Sequence, residues 1–272
     1  MRLALLQLNV SDDPAANLPV TLQLIEEAAK AGAEFVLTPE VTNCVSASRK
    51  HQLAVLAHQD DDQTLKALRD AAKTHGIWLL IGSLAIKTDD PDGRFANRSF
   101  LIDPQGEIEA WYDKIHMFDV TISETEAYHE SKGYRPGDRA VLADTPFGKL
   151  GLTICYDIRF PALYRDLAQA GAQIITVPSA FSPITGAAHW ESLLRARAIE
   201  TGCFIIAPAQ TGTHAGSGRK TYGHSMVVSP WGEVLVDAGE SACMVTLDID
   251  LTQVGKARQR VPSLQHDRRY TL

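Results

Sequence analysis

The chain alternates between short apolar runs and longer segments in which apolar residues recur at helical spacing. Apolar runs of strand length occupy residues 3–10, 34–39, 78–86, 95–103, 108–114, 150–156, 173–180, 203–209, 225–230, 233–238 and 244–250. Helical spacing covers residues 17–31, 62–75, 187–201 and 251–259, and Pro161 stands where a further helix would begin. Because strand-length and helix-length patterns alternate along the chain, the sequence predicts an α/β fold.

Two segments of the chain resemble each other. AKAGAEFVLTPE at 29–40 and AQAGAQIITVPS at 168–179 agree at five of twelve positions. Alanine–glycine turns before a buried strand are common in α/β proteins, so generic loop chemistry and internal duplication both explain the similarity. Duplication predicts two stacked sheets of similar topology with helices on both outer faces. Since no linker or low-complexity stretch divides the halves, we expect residues 1–272 to form one domain.

Composition and charge narrow the class of protein. The chain has 33 acidic and 26 basic residues, a formal net charge of -7, and its pI of about 5.7 lacks the basic footprint of a phosphate-binding protein. We therefore expect no nucleic-acid partner. No apolar run approaches the ~20 residues of a membrane span, and Met1 leads into an apolar stretch too short for a signal peptide. The sequence favours a cytoplasmic protein without a membrane partner.

The four cysteines are the first candidates for chemistry. No two are close enough for a zinc-ribbon or thioredoxin-like pair. Cys155 lies in LTICYDIRFP, where a strand ends in polar residues before the helix that Pro161 opens. Such an elbow exposes its central residue, and a helix N-terminus lowers the pKa of a thiol, which predicts a reactive thiolate. The alternative for Cys155 is an inert buried cysteine. That is our interpretation of Cys203 and Cys243, whereas no role is assigned to Cys44, which lies close to Glu40 in the sequence.

Two charged residues stand at other strand ends and supply what a nucleophilic cysteine needs, a base and an oxyanion partner. Glu40 terminates FVLTPE, and desolvation there predicts a raised pKa and a role as base. Lys114 terminates IEAWYDK, where an ammonium in a dry pocket could stabilise an oxyanion. The alternatives are a solvated strand end for Glu40 and a surface charge for Lys114. None of the nine histidines lies in a papain-like or caspase-like context.

Glutamate, lysine and cysteine in this order lie in segments that resemble a known family. TPE at 38–40, YDKIHMFD at 112–119 and CYDIRFP at 155–161 are similar to the three signature segments of the nitrilase superfamily of carbon–nitrogen hydrolases. The similarity continues through 178–210 and 222–235, where it is strongest to the Nit branch. The resemblance implies a four-layer αββα sandwich, nitrilase-like, with two stacked mixed sheets, outer helices, and dimerisation through central helices. The expected assembly is a homodimer or a higher homo-oligomer.

The resemblance also implies roles for individual residues. Glu40 would be the general base, Lys114 the oxyanion-stabilising cation, Cys155 the nucleophile, and Glu130 a second glutamate that positions Lys114 and substrate. Candidate substrate contacts are Tyr156, through its N–H, and the side chains of Phe118, Arg159, Phe181 and Thr185. We expect Arg159 to clamp a carboxylate, because its planar fork suits bidentate contact. No metal and no cofactor would be needed.

The activity that the resemblance implies is hydrolysis of the C–N bond of a small linear amide of the deaminated-glutathione type, through a thioester, to a carboxylic acid and ammonia. Alternatives are ω-amidase activity on α-ketoglutaramate, N-carbamoyl amidase activity, nitrilase activity, or a non-catalytic scaffold of the same fold.

The sequence assigns no definite role to two loops. The segment 41–55 departs from the Nit pattern and would border the acyl pocket. Residues 212–220, GTHAGSGRK, lack a strand–GxxxxGK–helix context and are predicted to form a mobile surface loop.

Overall fold

A computed structural model describes residues 1–122, 124 and 126–271 of the chain. The strands are β1 (Arg2–Gln7), β2 (Phe35–Leu37), β3 (Trp78–Ile86), β4 (Ala96–Ile102), β5 (Ile108–Asp113), β6 (Asp119–Thr121), β7 (Ala127–His129), β8 (Val141–Thr145), β9 (Gly148–Leu152), β10 (Ile174–Thr176), β11 (Phe204–Ala207), β12 (Thr211–Thr213), β13 (Lys220–Tyr222), β14 (Met226–Val228), β15 (Val234–Asp237) and β16 (Cys243–Asp248). The α-helices are α1 (Pro14–Lys30), α2 (Arg49–Val55), α3 (Gln63–His75), α4 (Pro161–Gln169), α5 (Pro183–Thr201) and α6 (Thr252–Arg260), and 3₁₀ turns cover Gln59–Asp61, Glu130–Lys132, Cys155–Arg159 and Ser263–Gln265.

Two six-stranded sheets have the same internal plan. Their strand orders are β16-β1-β2-β3-β4-β5 and β15-β14-β11-β10-β9-β8. In each sheet three neighbouring strands are parallel, β1-β2-β3 and β9-β10-β11, and antiparallel strands flank them on both sides. The two segments that resemble each other in sequence occupy equivalent places, since each runs from the end of a helix into the middle parallel strand. The similar topology predicted from that repeat is therefore present.

Alternation within β1 explains the layered arrangement. Leu3 and Leu5 pack into the apolar cluster that joins the two sheets and reaches α4 and α5. Ala4 and Leu6 pack into a second cluster with α1 and α3. A strand whose side chains point alternately to two faces, both of them buried, belongs to a sheet covered on both sides. The order of layers is thus helix, sheet, sheet, helix, and the predicted αββα sandwich is confirmed.

Differences from the predicted elements lie mostly at short polar segments. Residues 78–86 form a strand with the predicted bounds, whereas the run 150–156 ends as a strand at Leu152 because the chain turns there into a 3₁₀ helix. The helix α2, the hairpins β6–β7 and β12–β13, and the strand β8 carry little apolar patterning and were not predicted. The segment 212–220 is not simply a surface loop: it is held between β12 and β13, and His214 within it is fully buried.

Candidate active site

The ends of three strands bring the candidate residues to one place. Glu40 follows β2, Lys114 follows β5, and Cys155 follows β9. All three side chains are buried, with exposures of 4% for Glu40, 2% for Lys114 and 7% for Cys155. The alternatives of a solvated strand end for Glu40 and a surface charge for Lys114 are therefore excluded. The two sheets contribute jointly, because the first supplies the carboxylate and the ammonium and the second supplies the thiol.

The Glu40 carboxylate is fixed through both of its oxygens. Its Oε1 accepts hydrogen bonds from Lys114 Nζ at 2.9 Å and from Asn97 Nδ2 at 2.8 Å. Its Oε2 accepts one from the backbone N–H of Ala180 at 2.8 Å. The Gln210 side-chain amide also donates to the Glu40 carbonyl at 3.0 Å. Partners from both sheets thus hold the carboxylate in a single orientation.

Lys114 is held between two glutamates. Its ammonium donates to Glu40 and also to both oxygens of Glu130, at 2.9 and 2.8 Å. Glu130 in turn accepts the N–H of Phe118 at 2.6 Å. A buried ammonium needs such partners, because an unpaired charge in a dry site is strongly unfavourable. The structure therefore brings the Glu130 carboxylate into direct contact with the Lys114 ammonium.

The backbone at the site is strained where Glu40 and Cys155 leave their strands. Cys155 has φ of 49° and Val41, the residue after Glu40, also has φ of 49°. Non-glycine residues rarely adopt this left-handed region, which costs on the order of 1–3 kcal/mol per residue and is concentrated at functional sites. The Cys155 N–H is fixed by the carbonyl of Pro178 at 2.9 Å. The predicted elbow is present, and it presents Cys155 at the first residue of a 3₁₀ helix.

A buried aspartate secures this elbow. Asp157 accepts hydrogen bonds from Ile154 N at 2.8 Å, from the Tyr112 hydroxyl at 2.7 Å and from His116 N at 3.0 Å. Ile154 belongs to the elbow, whereas Tyr112 and His116 flank Lys114 in the sequence. Asp157 therefore couples the position of the thiol to the position of the ammonium.

The ionisation states differ from those predicted from the sequence. Burial raises the pKa of Glu40, but the charge of Lys114 and the hydrogen bond from its ammonium lower it by more, so the net shift is downward from 4.5. Burial and the neighbouring Glu40 carboxylate raise the pKa of the Cys155 thiol. Burial lowers the pKa of Lys114, but Glu130 and Glu40 raise it well above 10.5. The raised pKa predicted for Glu40 is wrong because the distant Lys114 outweighs burial there. The lowered pKa predicted for Cys155 is wrong because burial, and after it the Glu40 carboxylate, raises the pKa of this thiol.

These residues form the floor of a cavity of about 420 Å³. This volume lies within the range of small-molecule sites. Of the predicted contact residues, Phe118, Tyr156, Phe181 and Thr185 line the cavity. The ring centroids of Phe118 and Tyr156 lie 5.1 Å apart in an edge-to-face arrangement, so they form one aromatic wall.

The fifth predicted contact, Arg159, is absent from the cavity lining in the described part of the chain. Its guanidinium bonds to His189 Nδ1 at 3.2 Å and lies over the ring of Phe181 at 5.6 Å. It therefore supports a wall of the cavity from behind, and the expectation that it clamps a carboxylate has no support in its position.

The cavity wall contains residues from the two loops to which the sequence analysis assigned no definite role. The segment 41–55 contributes Val41, Cys44, Val45, Ser46, Ala47, Arg49 and Gln52, and the segment 212–220 contributes Arg219. The Cys44 thiol bonds to the Asp12 carbonyl at 3.3 Å, and burial raises its pKa to about 12. Asn97, Gln210 and Arg219 were missed in the sequence because their partners lie more than 30 residues away.

Among the described residues, no group of three or more histidine, cysteine, aspartate or glutamate side chains is arranged to hold a metal ion. None of the described helices combines the length and the apolar character needed to cross a membrane.

Comparison with known proteins places these features in a family. The family model described as carbon-nitrogen hydrolase matches residues 2–259. The deaminated glutathione amidase of Yersinia enterocolitica is 42% identical over 269 residues, which are 97% of this chain and 92% of that protein.

Solved structures with the same fold include Nit3 of Saccharomyces cerevisiae, a member of branch 10 of the nitrilase superfamily. It aligns with a TM-score of 0.86 and 30% identity over 99% of this chain and 97% of its own. A mutant of the amidase from Nesterenkonia sp. AN1, with the acetamide moiety of fluoroacetamide added covalently at its active site cysteine, aligns with a TM-score of 0.81 and 26% identity. The match covers 98% of this chain and 94% of that one.

Proposed function

The chain belongs to the carbon–nitrogen hydrolase family and is a hydrolase of carbon–nitrogen bonds other than peptide bonds, and we propose that it works as a cysteine-dependent amidase. The main observation behind the proposal is the cluster of buried Glu40 and Lys114 with half-buried Glu130, which lines one cavity together with Cys155. A thiol, a fixed carboxylate and a fixed ammonium are the groups that acyl transfer through a thioester requires.

In the first half of the reaction Glu40 accepts the thiol proton as Cys155 Sγ bonds to the amide carbonyl carbon. The negative charge that develops on the carbonyl oxygen is stabilised by the Lys114 ammonium and by the N–H of Tyr156, in the first turn of the 3₁₀ helix. Collapse of the tetrahedral species breaks the C–N bond, and the proton held by Glu40 passes to the leaving nitrogen. The acyl group remains on Cys155 as a thioester.

In the second half water replaces the amine. Glu40, again a carboxylate, accepts a proton from water as the water oxygen bonds to the thioester carbon. Collapse breaks the C–S bond, the thiol regains its proton and the carboxylic acid is released. Glu130 keeps Lys114 charged and in place throughout, since it binds the ammonium through both oxygens.

The substrate that we propose is a small linear amide of the deaminated-glutathione type. The name of the Yersinia enterocolitica relative and the size of the cavity support this choice. A primary amide would release ammonia, whereas the secondary amide of deaminated glutathione would release an amine, so the ammonia expected from the sequence applies only to primary amides. The other candidates are ω-amidase activity on α-ketoglutaramate, N-carbamoyl amidase activity and nitrilase activity.

A substrate panel tests the activity. We expect the protein to hydrolyse deaminated glutathione faster than α-ketoglutaramate, glutamine, an N-carbamoyl amino acid or a nitrile, with the acid, the amine and ammonia all quantified. Cys155→Ala should remain folded and lose turnover, because the acyl acceptor is gone. Cys243→Ala, which removes a thiol outside the cavity, should behave as the parent. Hydrolysis that survives in Cys155→Ala would rule out the thioester route, and a parent inactive on the whole panel would favour a non-catalytic scaffold.

We also propose that the chain is one domain, assembles as a homodimer and resides in the cytoplasm. The joint construction of the site by both sheets supports a single domain. Exposed apolar residues on and near α5 support a dimer, and the family resemblance to proteins that pair through central helices agrees with it. Four free cysteines are typical of a reducing compartment.

A further inference from the structure

Asn97 contacts all three charged residues of the cluster behind the proposed function. Its backbone carbonyl, on β4, accepts the backbone N–H of Lys114 at 3.0 Å. Its side-chain Nδ2 donates to Glu40 Oε1 at 2.8 Å and to Glu130 Oε1 at 3.4 Å. One neutral side chain in a residue that is 2% exposed therefore joins the two carboxylates that hold the ammonium.

The two carboxylates fix the orientation of the Asn97 amide. Its Nδ2 is directed at carboxylate oxygens, whereas its Oδ1 is buried and has no hydrogen-bond partner among the described residues. A flipped amide would turn Oδ1 towards two negative charges. A buried acceptor without a partner is unfavourable, and native proteins keep few of them. The N–H donors at Glu40 and Glu130 offset this cost.

These contacts leave the Asn97 side chain without a polar atom for the substrate. Asn97 borders the cavity, but its N–H groups serve the two carboxylates and its Oδ1 is buried. In this arrangement an effect of Asn97 on the reaction must pass through Glu40 and Glu130.

The two oxygens of Glu40 differ in their free capacity for a proton. Each carboxylate oxygen offers about two acceptor sites. Among the described residues, Oε1 fills both sites, with Lys114 Nζ and Asn97 Nδ2, whereas Oε2 accepts only the N–H of Ala180. One site on Oε2 therefore remains for a proton.

This free site belongs to the oxygen that shares a neighbour with the thiol. Burial and the Glu40 carboxylate raise the pKa of Cys155, and the groups that oppose this rise are the Lys114 ammonium and the Ala180 N–H. The same Ala180 N–H donates to Glu40 Oε2 at 2.8 Å. Oε2 is thus the oxygen on the thiol side of the carboxylate.

We propose that Asn97 is a positioning residue that closes Glu40 Oε1 and thereby directs the proton of Cys155 to Oε2. The S–H bond breaks, an O–H bond forms at Oε2, and the electron pair left on sulfur forms the bond to the amide carbon. The proposal rests on the proposed amidase function and deepens it, because it names the oxygen of the base that takes the proton.

Two substitutions of Asn97 test the proposal with deaminated glutathione as substrate. Asn97→Leu keeps a branched side chain without an N–H donor, and we expect kcat to fall about 10- to 100-fold because a hydrogen bond to a charged group is lost. KM should change less than about threefold, since no contact with the substrate is removed. Asn97→Asp keeps the shape but adds a third carboxylate, which repels Glu40 and competes for Lys114, so it should lose more of kcat.

The matched control is Ser99→Ala. Ser99 lies two residues further along β4 on the same face, is 1% exposed and donates to the Ile81 carbonyl at 3.1 Å, but it is outside the described lining of the cavity. Its loss should leave kcat and KM unchanged. A raised KM with unchanged kcat in Asn97→Leu would mean that Asn97 contacts the substrate, and would overturn the proposal. So would an Asn97→Asp enzyme with the kcat of the parent, because shape alone would then suffice.

A titration of Glu40 separates this proposal from the amidase function. The carboxyl carbon of Glu40, labelled with carbon-13 and assigned by its absence from Glu40→Gln, is followed by NMR as the pH is varied. In the parent the Lys114 ammonium outweighs burial and holds the pKa of Glu40 below 4.5. In Asn97→Leu we expect this pKa to rise by about 1–2 pH units, because the charged form loses a donor. Ser99→Ala should titrate as the parent does.

The other groups that face Glu40 stay the same in this comparison: Lys114, Cys155, Arg219 and, across Asn97, Glu130. If the parent hydrolyses no amide but the titration of Glu40 moves in Asn97→Leu, the amidase proposal fails and the positioning role stands. If Glu40 titrates alike in both proteins, Asn97 does not act on the base, and the proposal is wrong whatever the turnover.

Discussion

The buried carboxylate and ammonium of Glu40 and Lys114 stabilise each other's charged forms, and this mutual effect determines the resting state of the site. The pKa of Glu40 is below 4.5 and that of Lys114 well above 10.5. The raised pKa of the Cys155 thiol keeps its proton in place until substrate arrives. In the proposed mechanism the thiol is therefore activated by transfer of its proton to a fixed base during attack.

This charge distribution predicts a flat pH profile. Glu40 must be deprotonated to act as base, and its lowered pKa keeps it so at every pH above 4.5; Lys114 must be protonated, and its raised pKa keeps it so below 10.5. We expect kcat/KM for an uncharged amide such as pentanamide to vary less than about twofold from pH 6 to 9. Initial rates at constant ionic strength measure it. An acid limb with an apparent pKa near 7 would contradict the prediction.

How much of the site could be read from sequence depends on the range of each interaction. Glu40, Lys114 and Cys155 end apolar strands, a local feature that points to one edge of a sheet. The sign of the pKa shift at Glu40 depends on Lys114, 74 residues away, and local sequence predicts only the desolvation there. At Cys155 the sign is set by burial and by Glu40, 115 residues away, which together outweigh the lowering by Lys114. Arg219 was missed for the same reason, since its partner Ala180 is 39 residues away.

At the scale of elements, β3 controls the position of Glu40. Gly82 in β3 lies against the segment that leads from β2 to the base: a Cβ at this position would lie 2.0 Å from the Thr38 carbonyl oxygen, 2.5 Å from the Pro39 carbonyl oxygen and 2.6 Å from Pro178 Cβ. These contacts are with backbone and a rigid ring, which cannot move aside as a flexible side chain would. The strands from the two sheets meet here closely enough to require a glycine.

Gly82→Ala should therefore damage both stability and activity. We expect the free energy of unfolding in urea to fall by about 2–3 kcal/mol, the cost of overpacking a core, and kcat to fall because Pro39 shifts with Glu40. Gly255→Ala in α6 is the control, since a Cβ there meets nothing within 4 Å; it should gain about 0.5–1 kcal/mol from the better helix propensity of alanine. Equal stability of Gly82→Ala and the parent would show that the junction is looser than the distances imply.

Helices and strands with a strong apolar pattern could be predicted from the sequence, and those with a weak pattern could not. The long buried runs that became β3 and β4 were located to within a residue because their burial on two faces leaves a continuous apolar signal. The hairpins β6–β7 and β12–β13 are short and polar, yet one precedes Glu130 and the loop of the other contains Arg219. These elements are defined by tertiary contacts, which single-sequence patterns do not contain.

At the scale of the whole molecule, exposed apolar side chains are grouped on one outer surface. Ile199 on α5, Trp231 in the turn after β14 and Val261 after α6 are exposed by 56%, 46% and 54%. Trp231 is stacked on the Arg260 guanidinium at 4.0 Å, and the turn containing Gly232 packs against Ile199. Large apolar side chains grouped in this way mark association sites more often than an isolated exposed residue does.

We predict that this surface forms the homodimer interface. Sedimentation velocity at about 10 μM should give a dimer for the parent and a monomer for Trp231→Glu, because a buried unpaired carboxylate opposes association on both sides of a two-fold interface. Val20→Glu changes a residue of α1 that is exposed by 57% on the other outer layer, and it should remain dimeric. A monomeric parent would refute the dimer itself, whereas a dimeric Trp231→Glu would place the interface on another face. Since Glu40, Lys114 and Cys155 all come from one chain, we expect the Trp231→Glu monomer to retain its cavity and to hydrolyse deaminated glutathione as the dimer does.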